Sequence, residues 1–327
     1  MATTPTKPTN APLKKIVTFY CRFTPSYSAI GYYARRVFWG PIKGNFAGQT
    51  WLVIGASEGI GGAAARFAIR GGATVIAVAR DIGKLTAFEA SLGATGRLVK
   101  EVADFSLQCD IRALVSRLAQ RGTRIDVLVS NVGIQKREQI ITREGLETSF
   151  ATNILGHYLL TTELLAHHML SDKATVIEVS SGGMYNHAMV LKDLNITGEG
   201  YLGVRAYGLS KRAQVMLTAH WRQQYAATGM CFYVMHPGWV DTAAVGRSMP
   251  RFRSMLKSVL RAHGQGADTI VWLADKRPAQ KAAESIWFDR KERSVHIYEH
   301  TPKTTATGTE LVAYLKQCLL PGQTQQH

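Results

Sequence analysis

Acidic residues are what this chain has least of. No Asp or Glu occurs before Glu58, and the 327 residues carry 23 acidic side chains against 39 Lys and Arg, a formal charge of +16. Such a balance favours anionic partners: a phosphorylated cofactor, an acidic membrane surface, or nucleic acid held without sequence preference. No nucleic-acid-binding motif accompanies the charge, so no specific nucleic acid is expected. Cysteine is scarce as well. Cys21, Cys109, Cys231 and Cys318 are scattered without C-x-x-C spacing, which argues against a thiolate metal site and a disulfide framework and makes a reducing, intracellular compartment the expectation. His157, His167, His168 and His187 lack the spacing of metal ligands and are read as surface or packing residues, so no metal is expected. Long uncharged apolar runs are also missing. Residues 16–34 are apolar and aromatic, but Arg22 and Pro25 interrupt them and Lys14, Lys15, Arg35 and Arg36 flank them. That stretch is too broken for a transmembrane helix and too short in its apolar core for a secretory signal.

What is present is a composition 46% apolar in a length that suits one large α/β domain. Residues 1–46 read as a basic, aromatic N-terminal extension serving a membrane surface or targeting, 47–300 as one domain, and 301–327 as a C-terminal tail. Short β-branched or apolar runs at 51–54, 74–79, 97–102, 127–130, 175–179 and 231–235 read as strands. Helical patterns lie at 62–70, 111–121, 145–170 (broken near a glycine) and 206–225. Alternating β and α implies a doubly wound parallel sheet of about seven strands with right-handed crossovers.

After the first strand comes Gly55-Ala-Ser57-Glu58-Gly59-Ile60-Gly61. Glycines at a strand-to-helix turn let the backbone bend sharply and let a pyrophosphate approach the helix N-terminus. Arg80 follows the second strand, where a guanidinium suits a 2′-phosphate. Asp81 is next to it and could instead accept the ribose hydroxyls of NAD(H). NADP(H) is the favoured cofactor. Tyr207 and Lys211 are four apart, so on a helix they share a face. An ammonium near a phenol lowers the phenol's pKa, which suits proton exchange with a carbinol near neutral pH. Ser180 and Ser181 close the fifth strand, and Asn153 lies mid-helix, where asparagine costs stability.

Together these motifs resemble the short-chain dehydrogenase/reductase family, from about Thr50 to Asp289. The segments 150–156, 179–184 and 235–242, with Gln265–Thr269 and Phe288–Lys291, are similar to the branch of SDR family member 12, itself close to retinol dehydrogenases. The resemblance implies a Rossmann fold and a catalytic tetrad of Asn153, Ser181, Tyr207 and Lys211. In it, Tyr207 exchanges the proton, Ser181 holds the substrate oxygen, and Lys211 tunes the tyrosine and binds the nicotinamide ribose. It further implies that Asp104 and Phe105 meet the adenine, that Asn131 braces sheet and ribose, that Pro237 and Gly238 shape the nicotinamide face, and that Thr242 bonds the carboxamide. Ile54, Ser130 and Val132 depart from the family pattern, Ile54 by losing a hydroxyl that stiffens the glycine loop.

The implied activity is NADP(H)-dependent hydride transfer to or from an apolar carbonyl or alcohol such as a retinoid, steroid or long-chain aldehyde. Met184, Met189 and residues 245–263 are expected to wall the substrate site. The latter stretch reads as an amphipathic basic lid helix, with Arg247, Arg251, Arg253, Lys257 and Arg261 on its polar side. A lid packed on its own core with a solvated outer face is one reading; the other is that this lid and the Lys14–Trp39 stretch touch an anionic membrane surface. A catalytically quiet, nucleotide-binding, membrane-associated scaffold is the competing reading. Location is cytoplasmic or peripheral to a membrane, with a mitochondrial presequence as the alternative, and a homodimer stays open.

Overall fold

The computed structural model describes residues 22–93 and 95–320; Lys14, Lys15 and Cys21 lie outside them. Eight strands form one sheet in the order β3-β2-β1-β4-β5-β6-β7-β8. They are β1 (Thr50–Ile54), β2 (Thr74–Ala79), β3 (Leu98–Val102), β4 (Ile125–Ser130), β5 (Leu170–Val179), β6 (Cys231–Met235), β7 (Ile286–Phe288) and β8 (Lys291–Arg293). The first seven are mutually parallel, and β8 runs antiparallel to β7. In β1, Leu52 and Ile54 join one core while Trp51 and Val53 join the other. A strand buried on both faces reads as an unbroken apolar run for this reason. Helices α1 (Ala29–Arg36), α2 (Gly59–Arg70), α3 (Ile82–Ala90) and α4 (Gln108–Gln120) come first. Then follow α5 (148–166), α6 (Gly203–Gln224), α7 (Ala243–Ser248), α8 (Pro250–Leu256), α9 (His263–Lys276) and α10 (Gly308–Gln317).

Several expectations need correction. The helix expected over 145–170 begins only at 148 and ends at 166, and the irregularity expected near a glycine lies directly before Gly156. Its irregularity is a π-turn at Ala151–Leu155. The single lid helix expected over 245–263 is two short ones, because Pro250 cannot continue α7 and instead opens α8. Arg261, expected on a lipid-facing surface, is 1% exposed. Its guanidinium donates to both carboxylate oxygens of Asp289 at 2.6 and 2.8 Å, and to the carbonyls of Ser26, Ser28 and Pro237 at 3.2 Å each.

Asp289 and Arg290 form the two-residue turn between β7 and β8, both with positive φ (50° and 56°). That conformation is costly for residues other than glycine. Partly buried ion pairs hold it: Asp289 also accepts from Arg35 Nε at 2.7 Å, and Arg290 pairs with Asp268 at 2.7 Å.

The N-terminal segment does not present all its aromatic residues to solvent. Residues 22–27 are helical, and Ser28 caps α1 by accepting from the Ile30 N–H. Phe23, Tyr27 and Tyr32 are buried, whereas Ile30, Tyr33, Val37 and Phe38 are exposed. At the other end, α10 buries Leu311 and Leu315 in the main core, behind a Thr307–Glu310 capping box. Among the described residues no helix is long and apolar enough to cross a membrane.

Candidate active site

A cleft of about 930 Å³ lies along the C-terminal ends of the parallel strands, where an open α/β sheet has its crevice. At one end is the glycine loop. Gly55 and Gly59 take positive φ (79° and 65°). A Cβ on Gly61 would come within 2.3 Å of the Gly55 carbonyl oxygen, so only glycine lets α2 start so close to β1. No side chain caps the first turn of α2; Glu58, at the N-cap, is turned to Lys84 Nζ at 3.3 Å. Uncapped N–H groups at a helix start, facing a cleft, fit an anionic group such as a pyrophosphate. Ser57, Glu58, Gly59 and Ile60 line the cleft there, and Gly61 stands behind them. Asn131 Nδ2 donates to the carbonyls of Ile54 and Gly55 at 3.3 Å, so an amide braces the loop where Ile54 offers no hydroxyl.

Arg80 lines the cleft with its side chain 63% exposed and its Nη1 3.8 Å from Asp104. Asp81 also borders the cleft, but its carboxylate accepts from the Lys84 N–H at 3.2 Å as the N-cap of α3. Asp104 faces the cleft, yet its Oδ1 accepts from both the backbone N–H and the hydroxyl of Ser106, at 2.9 and 2.8 Å. Phe105 is buried beside it.

At the other end α6 places Tyr207 and Lys211 one turn apart, the ammonium 5.6 Å from the centre of the tyrosine ring. Lys211 Nζ donates to the Val179 carbonyl at 2.9 Å, and the Lys211 carbonyl accepts from Ser180 Oγ at 2.8 Å. Ser180 is thereby committed to joining β5 to α6. Ser181 is the hydroxyl that meets Tyr207, and it also accepts from the Gly183 N–H at 3.3 Å.

Asn153 does not line the cleft. It sits in the π-turn, fully buried, with Oδ1 accepting from the Ile134 N–H and Nδ2 donating to the Ile134 carbonyl, both at 2.8 Å. Those two bonds account for an asparagine in mid-helix without recourse to a bridging water. A Cβ on Gly133 would lie 3.1 Å from Lys211 Nζ and 3.6 Å from Asn153 Oδ1, so glycine there keeps Asn153 and Lys211 close.

The electrostatics differ from the expectation that Lys211 lowers the tyrosine pKa. Burial pushes the Tyr207 phenol up, and the Ser181 hydrogen bond pulls it down by less. Burial also lowers Lys211 to about 8, against the charge of Glu178, which raises it. At each group the loss of water outweighs the opposing influence, Ser181 at the phenol and Glu178 at the ammonium. Glu178 went unnoticed in the sequence, although an acid inside the apolar run of β5 was a visible signal. His157, read there as a surface or packing residue, is fully buried with it. Its Nδ1 is 2.7 Å from Glu178 Oε2 and its Nε2 is 3.0 Å from the Val132 carbonyl, while Gln214 Nε2 donates to the same carboxylate oxygen at 3.0 Å.

Past β6, Gly238 turns with φ of 80°, and a Cβ there would meet Arg261 Nε at 2.5 Å. Pro237 and Gly238 line the cleft, as does Thr242, whose hydroxyl caps α7 by accepting from the Val245 N–H at 3.2 Å. His236 is buried, and burial lowers it to about 3, so it is a neutral ring stacked on Phe288 at 5.0 Å. The expected methionine walls are absent: Met184 and Met189 are fully buried and do not line the cleft, since both point into the cores. Phe23, Tyr27, Tyr185 and Tyr298 line it instead, with Met249 and Phe252 from the lid.

A family model described as short chain dehydrogenase matches residues 49–251. The chain belongs to the short-chain dehydrogenase/reductase family. It is 35% identical to dehydrogenase/reductase SDR family member 12 of Bos taurus, across 83% of this chain and 86% of that protein. The Homo sapiens protein of the same name is 32% identical across 93% of this chain and 98% of its own length. Retinol dehydrogenase 14 of Mus musculus is 29% identical, covering 78% and 82%. Among solved structures, an uncharacterised protein from Mycobacterium paratuberculosis superposes with a TM-score of 0.67 at 25% identity, covering 84% of this chain and 94% of that one. A Burkholderia cenocepacia short chain dehydrogenase solved with NADP shares the fold, with a TM-score of 0.57 at 22% identity and coverage of 71% and 92%. Membership in this family makes the chain an oxidoreductase of the SDR type.

In this SDR site Lys211 carries a pH signature. Its folded pKa of about 8 lies below the ordinary 10.5. Between those values the unfolded chain binds more protons through this group, so its contribution to stability rises with pH across that window and is lost as pH falls through the folded pKa. The unfolding free energy of wild type minus that of Lys211→Met, from urea denaturation, is expected to climb by up to about 1.4 kcal/mol per pH unit from roughly pH 8 to roughly pH 10. A flat difference would mean the ammonium is as well solvated in the fold as outside it.

Proposed function

We propose that this chain catalyses NADP(H)-dependent hydride transfer between nicotinamide and an apolar carbonyl or alcohol, with Tyr207 as the proton donor and acceptor. The observation that carries this reading is the convergence of Tyr207, Ser181 and Lys211 on one wall of a cleft whose far end is the glycine loop. The bound nicotinamide would supply or take up the hydride. The chain's own part is positional and electrostatic. Ser181 and Tyr207 would hold the substrate oxygen between their hydroxyls, where a developing alkoxide is stabilised. In reduction, the Tyr207 O–H bond breaks as its proton passes to that oxygen; in oxidation, the phenolate takes the proton back. Burial of Tyr207 favours its neutral form, the form needed to donate in the direction of carbonyl reduction. An ammonium has three donors; Val179 takes one from Lys211, leaving others for the nicotinamide ribose hydroxyls.

Arg80 favours NADP(H) over NAD(H). Its guanidinium is open to the cleft, while the neighbouring Asp81, the group that would accept ribose hydroxyls of NAD(H), is spent on the start of α3. Asp104 and Phe105 would border the adenine, Asn131 the adjoining ribose, and Pro237, Gly238 and Thr242 the nicotinamide. Asn153 acts through Ile134 and so positions the wall rather than touching substrate.

Replacing Tyr207 with Phe removes the proton route and leaves the ring. Steady-state turnover of a carbonyl panel, followed by nicotinamide absorbance, is expected to fall by about 10²–10⁴-fold, with NADPH affinity retained. Turnover close to wild type would overturn Tyr207 as the proton carrier. For the nucleotide, Arg80→Ala is expected to raise KM for NADPH by about tenfold or more, the loss of a charge-assisted hydrogen bond, and to leave KM for NADH unmoved. Equal KM values in wild type with an indifferent variant would contradict the preference.

A further inference from the structure

We infer that Phe23 and Tyr27, in the helical segment 22–27 that precedes the stretch matched by the family model, wall the substrate site and tune it toward flat, ring-bearing carbonyl compounds over flexible chains. This rests on reading the cleft as a site of carbonyl chemistry.

The wall is aromatic. Phe23, Tyr27, Tyr185, Trp239, Phe252 and Tyr298 line the cleft beyond the nicotinamide-facing turn at Pro237–Gly238. Tyr27 is its centre. Its ring stands edge-on to Trp239 at 5.8 Å, to Phe288 at 5.1 Å and to His236 at 4.8 Å, and tilts against Phe23 at 5.1 Å. Trp239 in turn meets Phe252 edge-on at 5.1 Å. A ring fixed on several sides has little rotameric freedom left, and Tyr27 is only 8% exposed. The thioethers of Met184 and Met189, which could have reshaped themselves around a flexible guest, are in the cores instead.

A rigid aromatic wall treats two kinds of apolar guest differently. A flat ring system has few rotors to freeze and can stack on or stand edge-to-face against ring walls. A straight chain of the same carbon count must freeze its torsions to lie against the same surface and finds no matching quadrupole.

The segment is also tied to the reaction centre. The Trp239 N–H donates to the Tyr27 carbonyl at 2.8 Å, and the Ala29 N–H to the Val259 carbonyl at 2.9 Å. Arg261 reaches the carbonyls of Ser26 and Ser28 with the same guanidinium that holds Pro237 and Asp289. Any displacement of the aromatic wall is therefore transmitted to the turn at the nicotinamide end of the cleft.

The test compares acetylnaphthalene with a straight-chain methyl ketone of equal carbon count, in wild type, Tyr27→Leu and Phe23→Leu. The ratio of kcat/KM for ring over chain is expected to exceed one in wild type and to fall by about tenfold in Tyr27→Leu, the range of one or two lost aromatic contacts. Phe23→Leu, which removes the ring tilted against Tyr27, also lowers it and supplies the reading should the first variant fold poorly. A ratio near one in wild type, or one that neither substitution moves, overturns the inference. Calorimetric binding of acetylnaphthalene to the NADP-loaded protein separates this proposal from the reaction itself. Tyr27-dependent binding without turnover upholds the wall and removes the proposed reaction. Turnover with Tyr27-independent binding does the reverse.

Discussion

Lys211 brings an ammonium to a position that is 2% exposed, and the arrangement of the site follows from how that charge is accommodated. An unpaired buried ammonium would shed its proton or unfold its surroundings. Here it is bonded to the Val179 carbonyl at the end of β5, and the carboxylate of Glu178, one residue earlier, supplies the opposing charge. That carboxylate is in turn fixed by His157 from α5 and Gln214 from α6. One charge thus binds β5, α5 and α6 into a rigid corner. Tyr207 and Ser181 border the cleft beside that corner.

The same corner explains two residues that look ill-placed in isolation. Asn153 interrupts a regular helix with a π-turn, a local fault that commonly marks a functional site. The fault lets its amide clasp Ile134 on both backbone groups, which keeps Gly133 pressed against the lysine. On the far side, Arg261 plays the equivalent part for the substrate wall. Its single guanidinium joins the N-terminal segment, the Pro237–Gly238 turn and the β7–β8 hairpin through Asp289. A buried pair of this kind stabilises little in net terms, but removing one partner would strand the other. Its effect is therefore to fix geometry.

The parallel sheet was legible because β1, β2 and β4 are short apolar runs closed by glycine or polar turns, and because Gly55, Gly59 and Gly61 fall where β1 passes into α2. Tyr207 and Lys211 were legible from helical spacing alone. The terminal hairpin was not, since β7 and β8 have three residues each and its turn carries Asp289 and Arg290 in place of the glycine that such a turn invites. Nor could spacing show that Phe23 and Tyr27 fold back onto the cleft. Their aromatic, basic neighbourhood matched a surface-seeking leader equally well, and only the long-range bonds that Arg261 and Trp239 donate and the Val259 carbonyl accepts reveal the packing. The direction of the Tyr207 pKa was not legible for a related reason: sequence shows which charges are near in spacing, while desolvation depends on the whole surrounding fold.

The account turns on Tyr207 being held as a neutral phenol beside a buried ammonium. Carbon NMR of the protein labelled at the tyrosine ring carbon bearing oxygen, with Tyr207→Phe to assign the signal, reads this directly. The Tyr207 resonance is expected to show no ionisation below roughly pH 10, the ordinary tyrosine value. A Tyr207 signal that titrates between roughly pH 6 and pH 8, the range reached when a neighbouring cation dominates over burial, would contradict it.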